Sequence, residues 1–316
     1  MKKNIISFII LVAGFVLATV LMNTYGARSF IPDKAPSVNL VKTKKTVSPF
    51  EKLIPLHQIK KDPGPYDWLA THPEPGQTFD EYLNASPVVP DDKKKIIYVM
   101  LLGDFDNIRR EIVEKTTRYM QAYFQMPVEF VSEMGLDVIP EHARRKQPLQ
   151  GNPQILTRYV MEQILIPSVP DDAFCLIAFS SQDLWPGQGW NFVFGSASID
   201  DRVGVWSIYR NGDPNEGEEA YKLCLKRTIK TGTHEVGHMF GMRHCIFYEC
   251  NMNGSNHRQE SDEAPLWLCP VCLRKLDHAL KGNLQKRFED LMQISDKLNF
   301  KEENKFFKKE YILLKE

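Results

Sequence analysis

The segment HEVGHMFGMRH, which runs from His234 to His244, is the stretch around which the chain is expected to fold. Its pattern is H-E-x-x-H-x-x-G-x-x-H. Residues four positions apart lie on one face of a helix, so His234 and His238 can present two imidazoles to one metal ion. Gly241 can take a left-handed conformation that ends the helix and turns the chain. His244 then becomes a third ligand, and three protein ligands with one position left for water are typical of a catalytic zinc site.

Glu235 lies directly after the first histidine and indicates hydrolysis. A zinc ion lowers the pKa of a bound water towards neutrality. A carboxylate close to that water can take its proton during attack on a carbonyl and later pass it to the leaving nitrogen. The alternative is a surface helix that carries His-Glu-x-x-His by chance. Three histidines, a glutamate and a glycine in register argue against that alternative.

Four cysteines follow the motif and form a second candidate metal site. They are Cys245, Cys250, Cys269 and Cys272, in the pattern C-x4-C and C-x2-C. Four thiolates make a closed, tetrahedral, structural zinc site. Two disulfides are the competing interpretation, and it matters because the chain is a candidate for export. One zinc ion accounts for both spacings at once, and it would clamp the loop after His244 to the segment that follows.

These motifs resemble those of the archaemetzincin family. The histidine pattern is the metzincin signature, and a Cys directly after the third His, followed by C-x4-C-x-M and C-x2-C, is similar to the archaemetzincin pattern. Residues 68–70, 76–79 and 191–209 also resemble the family, so the likeness spans roughly residues 50 to 280.

The resemblance implies a zinc metallopeptidase that acts on peptides or proteins. It implies that Glu235 is the general base and that Met252 forms the Met-turn beneath the metal. It also implies the zinc ligands of the catalytic centre, which are His234, His238 and His244. With the four cysteines, this predicts two zinc ions per chain.

The amino-acid composition limits the kinds of partner and the kind of fold that are expected. Lys+Arg and Asp+Glu each number 40, so the formal net charge is zero and nothing indicates a nucleic acid or a polybasic membrane surface as partner. A chain of 316 residues that is 43% hydrophobic can bury a substantial core without a disulfide framework. We expect a monomer.

The first 26 residues are predicted to be a targeting element. Residues 5–22 carry no charge, and their length is near the lower limit for a membrane-spanning helix. An uncleaved signal anchor is slightly favoured over a removed signal peptide. Lys2 and Lys3 favour a cytoplasmic N-terminus with the catalytic part outside. The reverse topology stays open, because it would suit reduced cysteines.

The remaining chain divides into four predicted parts. Residues 27–48 form a linker, 49–95 a Pro-rich extension, 96–280 the catalytic domain, and 281–316 a C-terminal helix followed by a solvated tail. Five histidines outside the motif lack ligand spacing and are expected at the surface. They are His57, His72, His142, His257 and His278.

The predicted fold class of the catalytic domain is mixed α/β. Apolar strands at 96–102, 128–131 and 174–179 alternate with helices at 107–124 and 154–166, which favours a twisted, mostly parallel sheet packed by helices.

Two further strands, at 191–195 and 203–209, are expected as an antiparallel pair at the sheet edge, ahead of a zinc-binding helix at 216–240 and the Met-turn. The strand immediately before that helix is the candidate for binding an extended peptide by strand addition. An ordinary half-buried strand is an equally good interpretation of the same residues.

Overall fold

A computed structural model describes residues 47–316 together with the backbone of Ser7–Ile9. Apart from Ser7–Ile9, the predicted targeting segment at 1–26 lies outside the described residues, and so does nearly all of the predicted linker at 27–48. Among the residues that are described, no helix combines the length and the apolar character needed to cross a membrane. Membrane attachment and the domain boundaries stay predictions.

Nine strands form two sheets in the part of the chain that the structure describes. Their bounds are β1 Ser7–Ile9, β2 Ile96–Leu102, β3 Val128–Met134, β4 Arg144–Lys146, β5 Pro153–Leu156, β6 Ala173–Ser180, β7 Asp183–Trp185, β8 Gly195–Ser198 and β9 Val203–Ser207. The central sheet has six strands in the order β1-β8-β9-β6-β2-β3, and a small second sheet has the order β4-β5-β7. In the central sheet β3, β2, β6 and β9 are parallel, whereas β8 is antiparallel to both β9 and β1.

Ten α-helices surround the sheets within the described residues. Their bounds are α1 Pro49–Leu53, α2 Trp68–Thr71, α3 Phe79–Asn84, α4 Asn107–Phe124, α5 Thr157–Tyr159, α6 Glu218–Met239, α7 Arg258–Glu263, α8 Pro270–Leu280, α9 Leu284–Lys297 and α10 Lys301–Lys315. The short α5 continues as a π-helical stretch, Val160–Leu165. Side chains cap several helix starts; the carboxylate of Asp106, for example, accepts a hydrogen bond of 2.6 Å from the backbone N–H of Arg109.

The core lies on both faces of the central sheet. Alternate residues of a strand point to opposite faces, and β2 shows this directly. Ile97, Val99 and Leu101 belong to the cluster that packs against α4 and α6. Met100 and Leu102 belong to the cluster that packs against Val160–Leu165. Because every residue of β6 is buried, this strand reads in the sequence as a continuous apolar run.

The mixed α/β class and the mostly parallel sheet are confirmed, but the position of the edge strand is not. β9, the strand immediately before α6, pairs with β6 on one side and β8 on the other. The prediction that this strand binds a peptide at an exposed edge is therefore wrong. The antiparallel strand outside it is β8.

Three local predictions also need correction. Residues 154–156 belong to strand β5 rather than to a helix. The segment 301–316 is not a solvated tail, because it forms α10, whose Phe307 is fully buried. His57 is not a surface residue: its imidazole is buried and bonded to the carboxylate of Glu310, 3.1 Å away.

Candidate metal centres

Helix α6 and the turn that follows it bring three histidines together. His234 and His238 lie one turn apart on α6, and their Nε2 atoms are 3.1 Å from each other. Gly241 has φ of +79°, so the helix ends in the left-handed conformation that the sequence predicted. The chain then returns His244 to the other two, and the ligand atoms of all three lie within 4.8 Å of one another.

A hydrogen bond from Nδ1 orients each of the three histidine rings. Nδ1 of His234 donates to the carbonyl of Asn251 at 2.7 Å, and Nδ1 of His238 donates to the carbonyl of Met242 at 2.6 Å. Nδ1 of His244 donates to both oxygens of Glu74 at 3.0 Å. This tautomer leaves the lone pair of every Nε2 in the shared space.

A zinc ion fits this set of donors. Nitrogens bound tetrahedrally at ~2.0–2.1 Å from zinc lie ~3.3–3.4 Å apart, close to the separation observed for the first pair. Within the described residues, Nε2 of His244 is buried and has no hydrogen-bond partner. Burial lowers the pKa of His234 to about 3 and that of His238 well below its usual value. These two imidazoles are therefore neutral, which is the form that binds a metal.

Glu235 lies beside this cluster with its carboxyl group enclosed. The residue is 2% exposed, and its Oε1 has no hydrogen-bond partner among the described residues. Burial raises the pKa of Glu235 to about 8. A buried oxygen of this kind needs a polar partner that is not a protein side chain, and a water molecule serves this role. The arrangement therefore supports a proton acceptor placed next to the three histidines.

Met252 lies directly beneath the histidine-bearing turn of α6. It is fully buried, and a Cβ added to Gly237 would come within 2.5 Å of its Sδ. A side chain at position 237 would therefore have to displace the methionine. Met252 follows Asn251, whose carbonyl holds His234, so one short turn both supports the helix and orients a histidine.

Glu74 is a site residue that the sequence reasoning missed. It belongs to the Pro-rich extension, yet its carboxylate accepts hydrogen bonds from His244 and, at 2.7 Å, from Nε1 of Trp68. Burial alone would raise the pKa of Glu74, but these hydrogen bonds and the nearby imidazole hold it below its usual value. The resemblance of residues 68–70 and 76–79 to a known family was the signal in the sequence that this region belongs to the site.

The four cysteines form a second, closed cluster immediately behind the first. The Sγ atoms of Cys245, Cys250, Cys269 and Cys272 all lie within 4.8 Å of one another, and every one of these residues is at most 2% exposed. All four are free thiols, so the structure has no disulfide among them. Thiolates bound tetrahedrally at ~2.3 Å from zinc are ~3.8 Å apart, and Cys245 and Cys269 are separated by 3.6 Å.

The surroundings of the cluster also suit thiolates. Sγ of Cys250 accepts hydrogen bonds from the backbone N–H groups of Met252 at 3.4 Å and Cys269 at 3.2 Å. Such N–H donors stabilise negative charge on sulfur. Hydrogen bonds from the three neighbouring thiols hold the pKa of Cys245 well below its usual value. In the absence of a metal, burial raises the pKa of Cys250, and the hydrogen bonds with the other thiols raise that of Cys272. Cys175 and Cys224 are buried elsewhere in the core.

Three imidazoles that face one another beside a buried carboxylate define a class of proteins, the zinc metallopeptidases. Residues 92–278 match the model of peptidase family M54. Archaemetzincin-2 of Mus musculus is 34% identical over 261 residues, which cover 73% of this chain and 72% of that protein. Archaemetzincin-2 of Homo sapiens is 33% identical over 264 residues, with the same two shares covered. The chain therefore belongs to peptidase family M54, the archaemetzincins, and is a zinc-dependent peptidase.

Among solved structures, the archaemetzincin of Methanopyrus kandleri is 28% identical, with a TM-score of 0.48. The match covers 62% of this chain and 100% of that one.

Proposed function

We propose that this chain hydrolyses peptide bonds with a zinc ion held by Nε2 of His234, His238 and His244, and with Glu235 as general base. The observation that carries the proposal is the convergence of these three nitrogens, each oriented through Nδ1, beside a buried carboxylate oxygen without a protein partner. When bound, the zinc supplies a Lewis acid that polarises the scissile carbonyl and lowers the pKa of water.

The residues of the chain then perform the proton transfers. Glu235 takes a proton from the attacking water and delivers it to the leaving nitrogen. Its burial favours this exchange, because a carboxylate that is poorly solvated accepts a proton readily. Glu74 acts indirectly, through His244, because its hydrogen bonds fix the ring orientation and the tautomer of that histidine.

We propose a second zinc ion at the four cysteines, with a structural role. The fourfold thiol set is complete and buried, which supports a closed site without a position for substrate. Since Cys245 follows His244 directly, a metal here would fix the third histidine through one peptide bond.

We propose that a peptide substrate binds in extended form along β8. This strand already accepts an antiparallel partner, because Ser7–Ile9 pairs with it in the register Ser7 to Ser198. A peptide bound in the same way would occupy the position of Ser7–Ile9, and its affinity would come mainly from backbone hydrogen bonds.

Replacing Glu235 by Gln tests the enzymatic proposal. The substitution keeps the size of the side chain and removes the base, so peptide turnover should fall by about 10²- to 10⁴-fold. Zinc content and peptide affinity should change little, because the histidines and the sheet edge are untouched. Turnover is measured by mass spectrometry on a peptide library, zinc by elemental analysis, and affinity by fluorescence anisotropy. Glu219→Gln, an exposed carboxylate on the same helix, is the matched control.

Two outcomes would contradict this proposal. Equal cleavage by wild type and Glu235→Gln would show that another protein in the preparation causes the activity. Peptide binding by both proteins, without cleavage of any library member, would instead favour a zinc-stabilised peptide-binding protein.

We also propose that residues 1–26 attach the chain to a membrane or direct its export, with the catalytic part outside the cytoplasm. The support is the uncharged run at 5–22, preceded by Lys2 and Lys3. Attachment of this run to a membrane requires that Ser7–Ile9 leave their pairing with β8. Cell fractionation combined with protease protection of a C-terminal tag tests it. A tag that is protected in intact cells and leaves with the soluble fraction would refute both parts.

A further inference from the structure

A small cavity borders the proposed catalytic residues on one side. It has a volume of about 40 Å³, and its walls include His234, Glu235 and the ring of Phe194. The opposite wall comes from the segment after the Met-turn, through Ser255 and Ser261. A water-sized group needs roughly 10–15 Å³ by the same measure. The cavity therefore has room for a carboxylate and little more.

Lys230 provides one positive charge in the wall of this cavity. It lies one turn before His234 on α6, and the residue is only 6% exposed. Its ammonium donates hydrogen bonds to the backbone carbonyls of Ser261, Asp262 and Ala264. These bonds hold Nζ in place, but none of the three acceptors carries a negative charge.

Arg258 provides a second positive charge. Its guanidinium stacks on Phe194 at 4.0 Å from the ring centroid. Its Nη2 donates to the carbonyl of Arg210 and to Oδ1 of Asn211, both at 3.2 Å. As with the lysine, the acceptors are neutral.

Within the described residues, neither cation has a carboxylate within salt-bridge distance. Asp262, whose charge acts on both cations, is bonded instead to Nε of Arg227 at 2.9 Å and also to its Nη2. The carboxyl group in the cavity wall is that of Glu235, the proposed base. Burial, assisted by repulsion from neighbouring basic groups, lowers the pKa of Lys230 to about 7 and that of Arg258 to about 10. A bound anion would oppose both shifts.

We propose that this cavity binds a carboxylate carried by the substrate residue that follows the scissile bond, and that Arg258 and Lys230 recognise it. The inference rests on the proposed function. Glu235 must reach the leaving nitrogen, and that nitrogen belongs to the residue after the cut. The space beside Glu235 is therefore the space for that residue. The carboxylate is either an Asp or Glu side chain or, at the end of a peptide, the terminal carboxylate.

A matched peptide set tests this preference. One central position is varied among Glu, Gln, Leu and Lys in otherwise identical peptides, each made with a free and with an amidated C-terminus. We expect kcat/KM for cleavage before Glu to exceed that before Gln by about 10- to 100-fold, the range for hydrogen bonds to a charged group. Amidation separates the two sources, because it leaves a side-chain carboxylate intact and removes a terminal one.

Two variants test whether Arg258 and Lys230 are the residues that recognise the substrate carboxylate. Arg258→Met keeps an unbranched apolar side chain beside Phe194 and removes the charge of the guanidinium that stacks on it. Lys230→Met removes the charge on α6 in the same way. In each, the ratio of Glu to Gln cleavage should fall towards one. Arg118→Met, which removes an exposed arginine of α4, should leave the ratio unchanged. Because Lys230→Met also removes three hydrogen bonds, thermal unfolding is measured for every variant, and the arginine variant alone suffices for the test.

A binding measurement separates failure of this inference from failure of the proposed function. Zinc-loaded Glu235→Gln protein is titrated with the Glu and Gln peptides by fluorescence anisotropy. The inference is supported, even if no peptide is cut, when the Glu peptide binds more tightly than the Gln peptide. This difference should disappear in the double variant Glu235→Gln/Arg258→Met. Equal cleavage and equal binding of the Glu and Gln peptides overturn it, and so does an acid preference that survives both charge-removing variants.

Discussion

The histidine cluster and the cysteine cluster are neighbours in the chain, because His244 precedes Cys245, but they differ in their surroundings. Beside the histidines lie a carboxyl oxygen without a protein partner and a cavity of about 40 Å³. The four thiols are enclosed, and backbone N–H groups approach the sulfur of Cys250. The first cluster has an incomplete set of ligands next to free space, whereas the second is complete. This difference is the physical distinction between a metal that reacts and a metal that holds the fold.

Removal of zinc should separate the two clusters most strongly. A chelator should take the metal from the three-histidine site first, because that site has an open position. Activity should then fall to background while the far-ultraviolet circular dichroism stays unchanged and one zinc ion per chain remains. Elemental analysis along the titration measures this. Simultaneous loss of both ions, or of activity only on unfolding, would show that the two sites do not differ as proposed.

Cys269→Ser should act on folding. It leaves three thiolates at the closed site, and structural zinc contributes ~10–16 kcal/mol in small zinc domains. We expect the free energy of unfolding to fall by several kcal/mol, on the order of 5 kcal/mol, with loss of one zinc ion. Denaturant titration and elemental analysis check both. Cys175→Ser, a buried cysteine of β6, should cost about 1–3 kcal/mol but keep the zinc content. An unchanged stability after loss of the zinc would contradict a structural role.

Gly237→Ala tests the contact between α6, which carries His234 and His238, and the methionines that pack against it. The added Cβ would lie 2.5 Å from Sδ of Met252 and 3.1 Å from Cε of Met242. Overpacking of this kind should lower the free energy of unfolding by about 1–3 kcal/mol and reduce turnover.

Gly232→Ala is the matched control on the same helix, because its nearest contacts are 3.3 Å or longer and alanine gains about 1 kcal/mol of helix propensity. If both variants behave alike in thermal unfolding, the methionine does not constrain the turn.

Glu74→Gln should have a narrower effect, confined to the histidine centre. The carboxylate orients His244, and removal of such a partner typically weakens metal binding by about 10- to 100-fold. Competition with a zinc-binding dye measures this affinity. Glu81→Gln is the control, since it changes an exposed carboxylate of the same extension and a glutamine preserves its helix cap. A wild-type zinc affinity in Glu74→Gln would show that the hydrogen bonds do not position the third histidine.

The sequence predicted both clusters because their ligands are close together in the chain. His234, His238 and His244 follow from helical geometry and one glycine, and the cysteines follow from two short spacings. Glu74 could not be found in this way, since it lies 170 positions before His244 and no local pattern connects them. The small cavity beside Glu235 could not be predicted either. Arg258 and Lys230 come to line the same cavity only when α6 and the segment after the Met-turn pack together.

The C-terminal helix shows how polarity can mislead a prediction. The buried side of α10 consists of Glu303, Phe307 and Glu310. This spacing is helical, but two of the three positions are acidic, so the segment resembles a solvated tail. Their partners come from distant elements: Lys226 pairs with Glu303, and His57 pairs with Glu310 at 3.1 Å. A buried charge is stable only with such a partner, and the sequence does not show which residues become partners.

The contact between Glu74 and His244 bears on how far the chain can be shortened. A chain that begins at Ile96, the first residue of β2, would retain all seven candidate ligands and Glu235. It would nevertheless lack Glu74 and Trp68, so the ring of His244 would be free to rotate about its side-chain bonds. We therefore expect the smallest working peptidase to be longer than the segment that contains its motifs, and to begin in a Pro-rich stretch that supplies no predicted metal ligand.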